Sequence, residues 1–189
     1  MKKIILTFAL FFVTAQLVAQ EHLSFKGIPI EGSMTEFCQK LKTKGFTSLG
    51  RENNISLFTG DFTGRNATIG VSATDDGKNV FAVVVLFDSS EEWKTLVNTY
   101  EYYKDLYTRK YGKPEISKEN NPAHSDSNTA LMSAVHQGQV VYGSVWKVTG
   151  GDIQLSIEKA DGIYEGMVMI RYRDSQNVET KIKKDLEDI

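Results

Sequence analysis

The hydrophobic positions of this chain switch between a helical period of about 3.6 residues and a strand period of 2. Met34, Phe37, Cys38 and Leu41 fall at i, i+3, i+4 and i+7, one face of a helix predicted over residues 33–45. Ser33 and Glu36 have the spacing of a reciprocal capping box, and Gly45 can take the left-handed conformation that ends a helix. Ile69, Val71 and Ala73 alternate with Thr68, Gly70 and Ser72, and Ile153, Leu155 and Ile157 alternate with Gln154, Ser156 and Glu158. Both are patterns of half-buried antiparallel strands.

Extended along the chain, the pattern predicts an entry strand over residues 23–30, with Pro29 suited to an edge. Strands over residues 56–63, 67–74 and 80–87 follow the first helix, separated by Gly64-Arg65-Asn66 and by a turn at residues 75–79. A second helix is predicted from Ser89, with Glu92 completing another capping box, to Tyr111 before Gly112-Lys113-Pro114. Residues 115–128 read as a polar, irregular loop and 129–136 as a short helix. Strands over 139–148, 153–159 and 167–173 come next. A last amphipathic helix, 175–189, carries Val178, Ile182, Leu186 and Ile189 on one side.

This order reads as one pattern used twice. Phe58 and Phe62 match Tyr142 and Trp146 at an offset of 84, as Ile69, Val71 and Ala73 match Ile153, Leu155 and Ile157. Asp76-Gly77 then matches Asp161-Gly162 at 85, and Asp88-Ser89 matches Asp174-Ser175 at 86. The predicted fold class is α+β: two tandem units, each a helix plus a three-stranded antiparallel meander, with the helices packed on one sheet face. Unit one covers about residues 23–88, unit two about 89–174, and the terminal helix 175–189, all within one domain over residues 20–189. The strand from Phe81 to Phe87, apolar at nearly every position, is expected to be covered on both faces.

Composition places this domain outside the cytoplasm. Lys2 and Lys3, an apolar run from Ile4 to Val13 broken only by Thr7, and a small-residue exit ending at Ala19 have the form of a secretory signal peptide over residues 1–19. The run is too short for the ~20 apolar residues of a membrane-spanning helix, and the only cysteine, Cys38, is not at the cleavage point, so a lipid anchor is not expected. The mature chain is predicted to be periplasmic or secreted. Removing two lysines and no acid takes the net charge from −2 to −4. Its densest basic cluster, Lys181, Lys183 and Lys184, is diluted by Glu179, Asp185, Glu187 and Asp188, which argues against a nucleic-acid partner. One cysteine permits no internal disulfide, and its place on the apolar stripe predicts burial.

Catalytic chemistry is sparse. His22, His124 and His136 are scattered, without metal-ligand spacing, and no phosphate loop, dinucleotide fingerprint or nucleophile elbow occurs. No cofactor or metal is expected. Asp75-Asp76-Gly77 reads as a turn, since the further ligands of a calcium loop are missing. A Cys38 nucleophile with His22 or His136 as base is the enzymatic alternative. On the second helix Trp93, Leu96, Val97, Tyr100, Tyr103, Tyr107 and Tyr111 share a side, read as a core stripe, with an aromatic platform for a glycan or peptide as its functional alternative. The candidate binding residues are Thr68, Ser72, Gln154, Ser156 and Glu158 on the polar sheet face, with His124 and Asp126 in the loop at residues 117–128.

The leader ending Val18-Ala19-Gln20, then Leu23-x-Phe25-Lys26-Gly27-Ile28-Pro29-Ile30-x-Gly32-Ser33, Phe37-x-x-Lys40-Leu41-x-x-Lys44-Gly45-Phe46 and Lys110-Tyr111-Gly112-Lys113-Pro114, resemble a family of small exported bacterial proteins without assigned function. At the level of fold, the predicted units are similar to beta-lactamase-inhibitor-protein-like and PepSY-like tandem domains. The resemblance implies a periplasmic binding or inhibitory module. The expected function is therefore a non-enzymatic envelope module contacting a protein or cell-envelope ligand, with a hydrolase of unrecognised site as the alternative.

Overall fold

Turn chemistry near the N-terminus sets the first element. In the computed structural model, which describes residues 21–52, 54–187 and 189, β1 (Ser24–Phe25) and β2 (Ile28–Pro29) form a two-stranded hairpin. Lys26 and Gly27 turn it at φ of 52° and 76°, the left-handed pair that matches hairpin twist. The leader predicted over residues 1–19 lies outside the described residues.

Helix α1 (Met34–Thr43) follows, closed by the predicted Ser33–Glu36 capping box. Then come β3 (Thr47–Glu52), β4 (Ile55–Phe62), β5 (Arg65–Ala73) and β6 (Val80–Leu86). Helix α2 (Trp93–Tyr111), β7 (Ile116–Asn120) and α3 (Asn128–His136) lead to β8 (Val141–Val148), β9 (Gly151–Lys159), β10 (Gly166–Asp174) and α4 (Ser175–Glu187).

The tandem helix-plus-three-strand architecture is not what forms. Instead eight strands make one antiparallel sheet in the order β3-β4-β5-β6-β10-β9-β8-β7. Its middle is the β6–β10 pairing, which sets Val83 opposite Tyr172 and Val85 opposite Ile170. The error has a physical cause at each edge. Every residue of β3 and β7 is exposed, so neither strand buries a face and neither leaves a hydrophobic alternation to read. β7 also occupies part of the segment expected to be an irregular loop. Nor is β6 covered on both sides: Val83 and Val85 are buried in the core, whereas Val84 and Leu86 on the other side are half-exposed.

The core lies against one face of this sheet. Phe37 and Leu41 from α1, Leu96, Tyr100 and Tyr103 from α2, and Met132 and Val135 from α3 join Ile69, Val85, Ile153, Leu155 and Ile170 in a single apolar cluster. Burying each large side chain there contributes roughly 1.5–3 kcal/mol. The β1–β2 hairpin packs on the same side: Phe25 stacks on Phe62 at 5.9 Å and meets Tyr172 edge-on at 5.2 Å. Cys38 is half-buried and packed against this cluster. Helix α4 is tied to the sheet end by Asn177, whose Nδ2 donates to the carbonyls of Ile30 and Val80, both at 2.9 Å. The apolar side of α4 remains exposed at Ile182 and Leu186.

Candidate functional site

Strand alternation and register decide which side chains share the face opposite the helices. Leu57, Gly70, Val84 and Arg171 lie side by side across β4, β5, β6 and β10, and Gln154 and Val145 continue the row on β9 and β8. A parallel row runs Thr59, Thr68, Leu86, Met169, Ser156 and Gly143. The packing agrees: a side chain added at Gly70 would touch Ile55, Leu57 and Val84.

Of the candidate residues, Thr68, Ser72, Gln154, Ser156 and Glu158 do lie on this face. They form two groups, because β6 and β10 separate β5 from β9 and place the groups about 14 Å apart at the usual strand spacing. Ser156 is not an exposed contact: it is 4% exposed, and its hydroxyl has no hydrogen-bond partner among the described residues. His124 and Asp126 are exposed between β7 and α3, and among the described residues no hydrogen bond joins either to the sheet.

The expected polar face is in fact mixed. Half-exposed Leu57, Val84, Leu86 and Val145 are spread across it from β4 to β8, with Ile55 more exposed at one side. Sequence reasoning missed these residues, although the unbroken apolar run of β6 already put apolar side chains on both sides of that strand, Val84 and Leu86 together on the uncovered one. Besides exposed Glu158, charge lies at two places. At the edge of the face Arg173 grips Asp152 through two hydrogen bonds of 2.9 and 3.1 Å, and Lys147 Nζ stands 3.6 Å from the same carboxylate. In the middle, Arg171 reaches only the Met169 sulfur, at 3.7 Å. Among the described residues no carboxylate pairs with it.

The tyrosine stripe of α2 turns inward as predicted, and Tyr100 and Tyr103 are fully buried. The Tyr100 hydroxyl bonds Ser144 at 2.7 Å and donates to Glu119 at 3.2 Å. Burial raises the Tyr100 phenol, and the nearby Glu119 charge adds to that. Burial also pulls the Glu119 carboxyl upward, but hydrogen bonds from Lys104 and Ser117 outweigh it and leave the group below its ordinary range. Further along, Tyr103, Tyr107 and Tyr111 line a cleft beside the β1–β2 hairpin.

The residues of the thiol alternative have other contacts. His22 Nδ1 lies 3.0 Å from Asp174 and its Nε2 3.5 Å from Glu31, while the His136 ring packs against Tyr164. Among the described residues no hydrogen bond joins either ring to Cys38. No group of three potential metal ligands occurs there either, and no helix is long and apolar enough to cross a membrane. No family model matches the chain, and neither the curated proteins nor the solved structures include a match to it.

Proposed function

We propose that this chain is an exported binding module that docks a protein of the cell envelope on the uncovered face of its eight-stranded sheet. The observation carrying this reading is the composition of that face, half-exposed Leu57, Val84, Leu86 and Val145 interleaved with Thr68 and Gln154 around Arg171, which has no carboxylate partner among the described residues. Apolar contact area mixed with polar groups around an arginine anchor is common in protein interfaces. Its size is suitable. Seven strand gaps of ~4.8 Å and about six residues of strand length give roughly 700 Å², close to the ~800 Å² each partner contributes to a standard interface.

The test is photo-crosslinking in intact cells, with a benzophenone amino acid replacing Val84 or Gln154 on the sheet or Lys42 on the outer side of α1. One discrete adduct is expected from the sheet positions alone. Adding Arg171→Glu should reduce its yield about tenfold, equivalent to ~1.4 kcal/mol of binding. Equal adducts from Lys42, or none from Val84, would overturn the proposal.

A further inference from the structure

On the opposite side of the sheet a cleft of about 930 Å³ opens between the β1–β2 hairpin and the C-terminal half of α2. Its volume falls in the range of small-molecule sites, roughly 300–1,000 Å³. We propose that this cleft binds a small carboxylate with an aromatic or otherwise apolar body. The inference is independent of the sheet-face reading, since different residues on the other side of the sheet carry it.

The walls select the body of the ligand. Phe62, Tyr103, Tyr107 and Tyr111 line the cleft, and the rings of Tyr107 and Tyr111 stack at 5.9 Å and 19°. Such surfaces favour a flat or apolar occupant.

The polar groups select its head. Tyr107 and Tyr172 are 7% and 6% exposed, both line the cleft, and their hydroxyls bond to one another. One hydrogen bond between two phenols uses one of their two protons. Neither hydroxyl has another partner among the described residues, so the second proton requires an acceptor supplied from the cleft. Burial pushes both phenols upward, which keeps both protons in place at neutral pH.

Charge completes the selection. Lys26 holds its ammonium 5.6 Å from the Phe62 ring centre, and Lys110 holds its own 4.9 Å from that of Tyr111. Neither has a carboxylate partner among the described residues. The other bases are committed, Lys147 to Asp152 and His22 to Asp174 and Glu31. Among the described residues Glu21 is the one acid lining the cleft, so the walls present a surplus of positive charge from two separate elements. A carboxylate oxygen answers both the ammonium groups and the spare phenolic proton, whereas a neutral sugar hydroxyl can accept that proton but leaves both ammonium charges unanswered.

The experiment titrates the full mature chain calorimetrically with 2-naphthoate and with the neutral 2-naphthylmethanol. It then repeats both titrations with Lys26→Gln/Lys110→Gln and with Tyr107→Phe/Tyr172→Phe, after thermal melts show that each variant is folded. The proposal predicts that naphthoate binds at least about tenfold tighter than the alcohol. The lysine double variant should remove most of that advantage while leaving the affinity for the alcohol unchanged, the tyrosine double variant should weaken both compounds, since both carry an acceptor oxygen, and added salt should weaken naphthoate alone. Equal affinity for the two compounds, no binding of either, or a naphthoate advantage that survives the lysine double variant would overturn it. Should the tyrosine variant be unfolded, the lysine variant alone decides.

Discussion

A single carboxylate, Asp76, joins the β5–β6 turn to the last helix. Lys184 Nζ donates to it at 2.7 Å, the Thr74 hydroxyl at 2.6 Å and the Lys78 backbone N–H at 3.1 Å. The Lys184 hydrogen bond, followed by those from Thr74 and Lys78, lowers its pKa far below the ordinary 3.8. A group whose folded-state pKa is depressed stabilises the fold above its unfolded value and loses that contribution as pH falls toward the folded value. Acidification below pH 3.8 should therefore loosen α4 from the turn. Thermal melts in that range should show a smaller acid-induced drop in Tm for Asp76→Asn than for the parent chain, and equal drops would contradict the assignment. At this scale the sequence was partly legible: Asp75-Asp76-Gly77 read correctly as a turn, but the Lys184 contact spans 108 positions and no local pattern announces it.

At the scale of elements, long-range capping separates reading from structure. The Ser89–Glu92 capping box does not form: Ser89 Oγ donates to Glu165 at 2.7 Å, and the Glu92 N–H donates to Ser90 at 3.0 Å. The start of α2 is held instead by Asn128, whose side-chain oxygen accepts from the Trp93 N–H and whose amide donates to the Glu91 carbonyl, both at 2.9 Å. One asparagine thus fixes the beginning of α2 from the first residue of α3. Asn128→Ala should destabilise the fold by about 1 kcal/mol, the usual cost of losing such a cap, as read by urea denaturation. Ser89→Ala should leave α2 itself intact. Elements with a buried face, such as α1, β5, β9 and β10, were legible to within two residues, because burial writes the alternation into the sequence. Edge strands β3 and β7 bury nothing and wrote none.

For the whole molecule, the helix-bearing and uncovered sides of the sheet divide its two proposed roles. That antiparallel strands with one face buried occur here followed from alternation alone. Their union into one eight-stranded sheet depends on the β6–β10 pairing, a contact between residues nearly 90 positions apart that no periodicity encodes. The candidate face was legible in the same measure: Thr68, Ser72, Gln154 and Glu158 share one side of the sheet as alternation predicts, while the apolar residues among them emerged only from register. Hydroxyl-radical footprinting of the purified chain, alone and with envelope extract, tests the central claim that this face is a docking surface. The account predicts that labelling of Leu57, Leu86 and Val145 falls several-fold with extract, while Ile163 and Leu186, exposed by 73% and 59% away from the docking rows, keep their rates. Unchanged labelling of the sheet residues, or protection centred on Ile163 and Leu186, would contradict it.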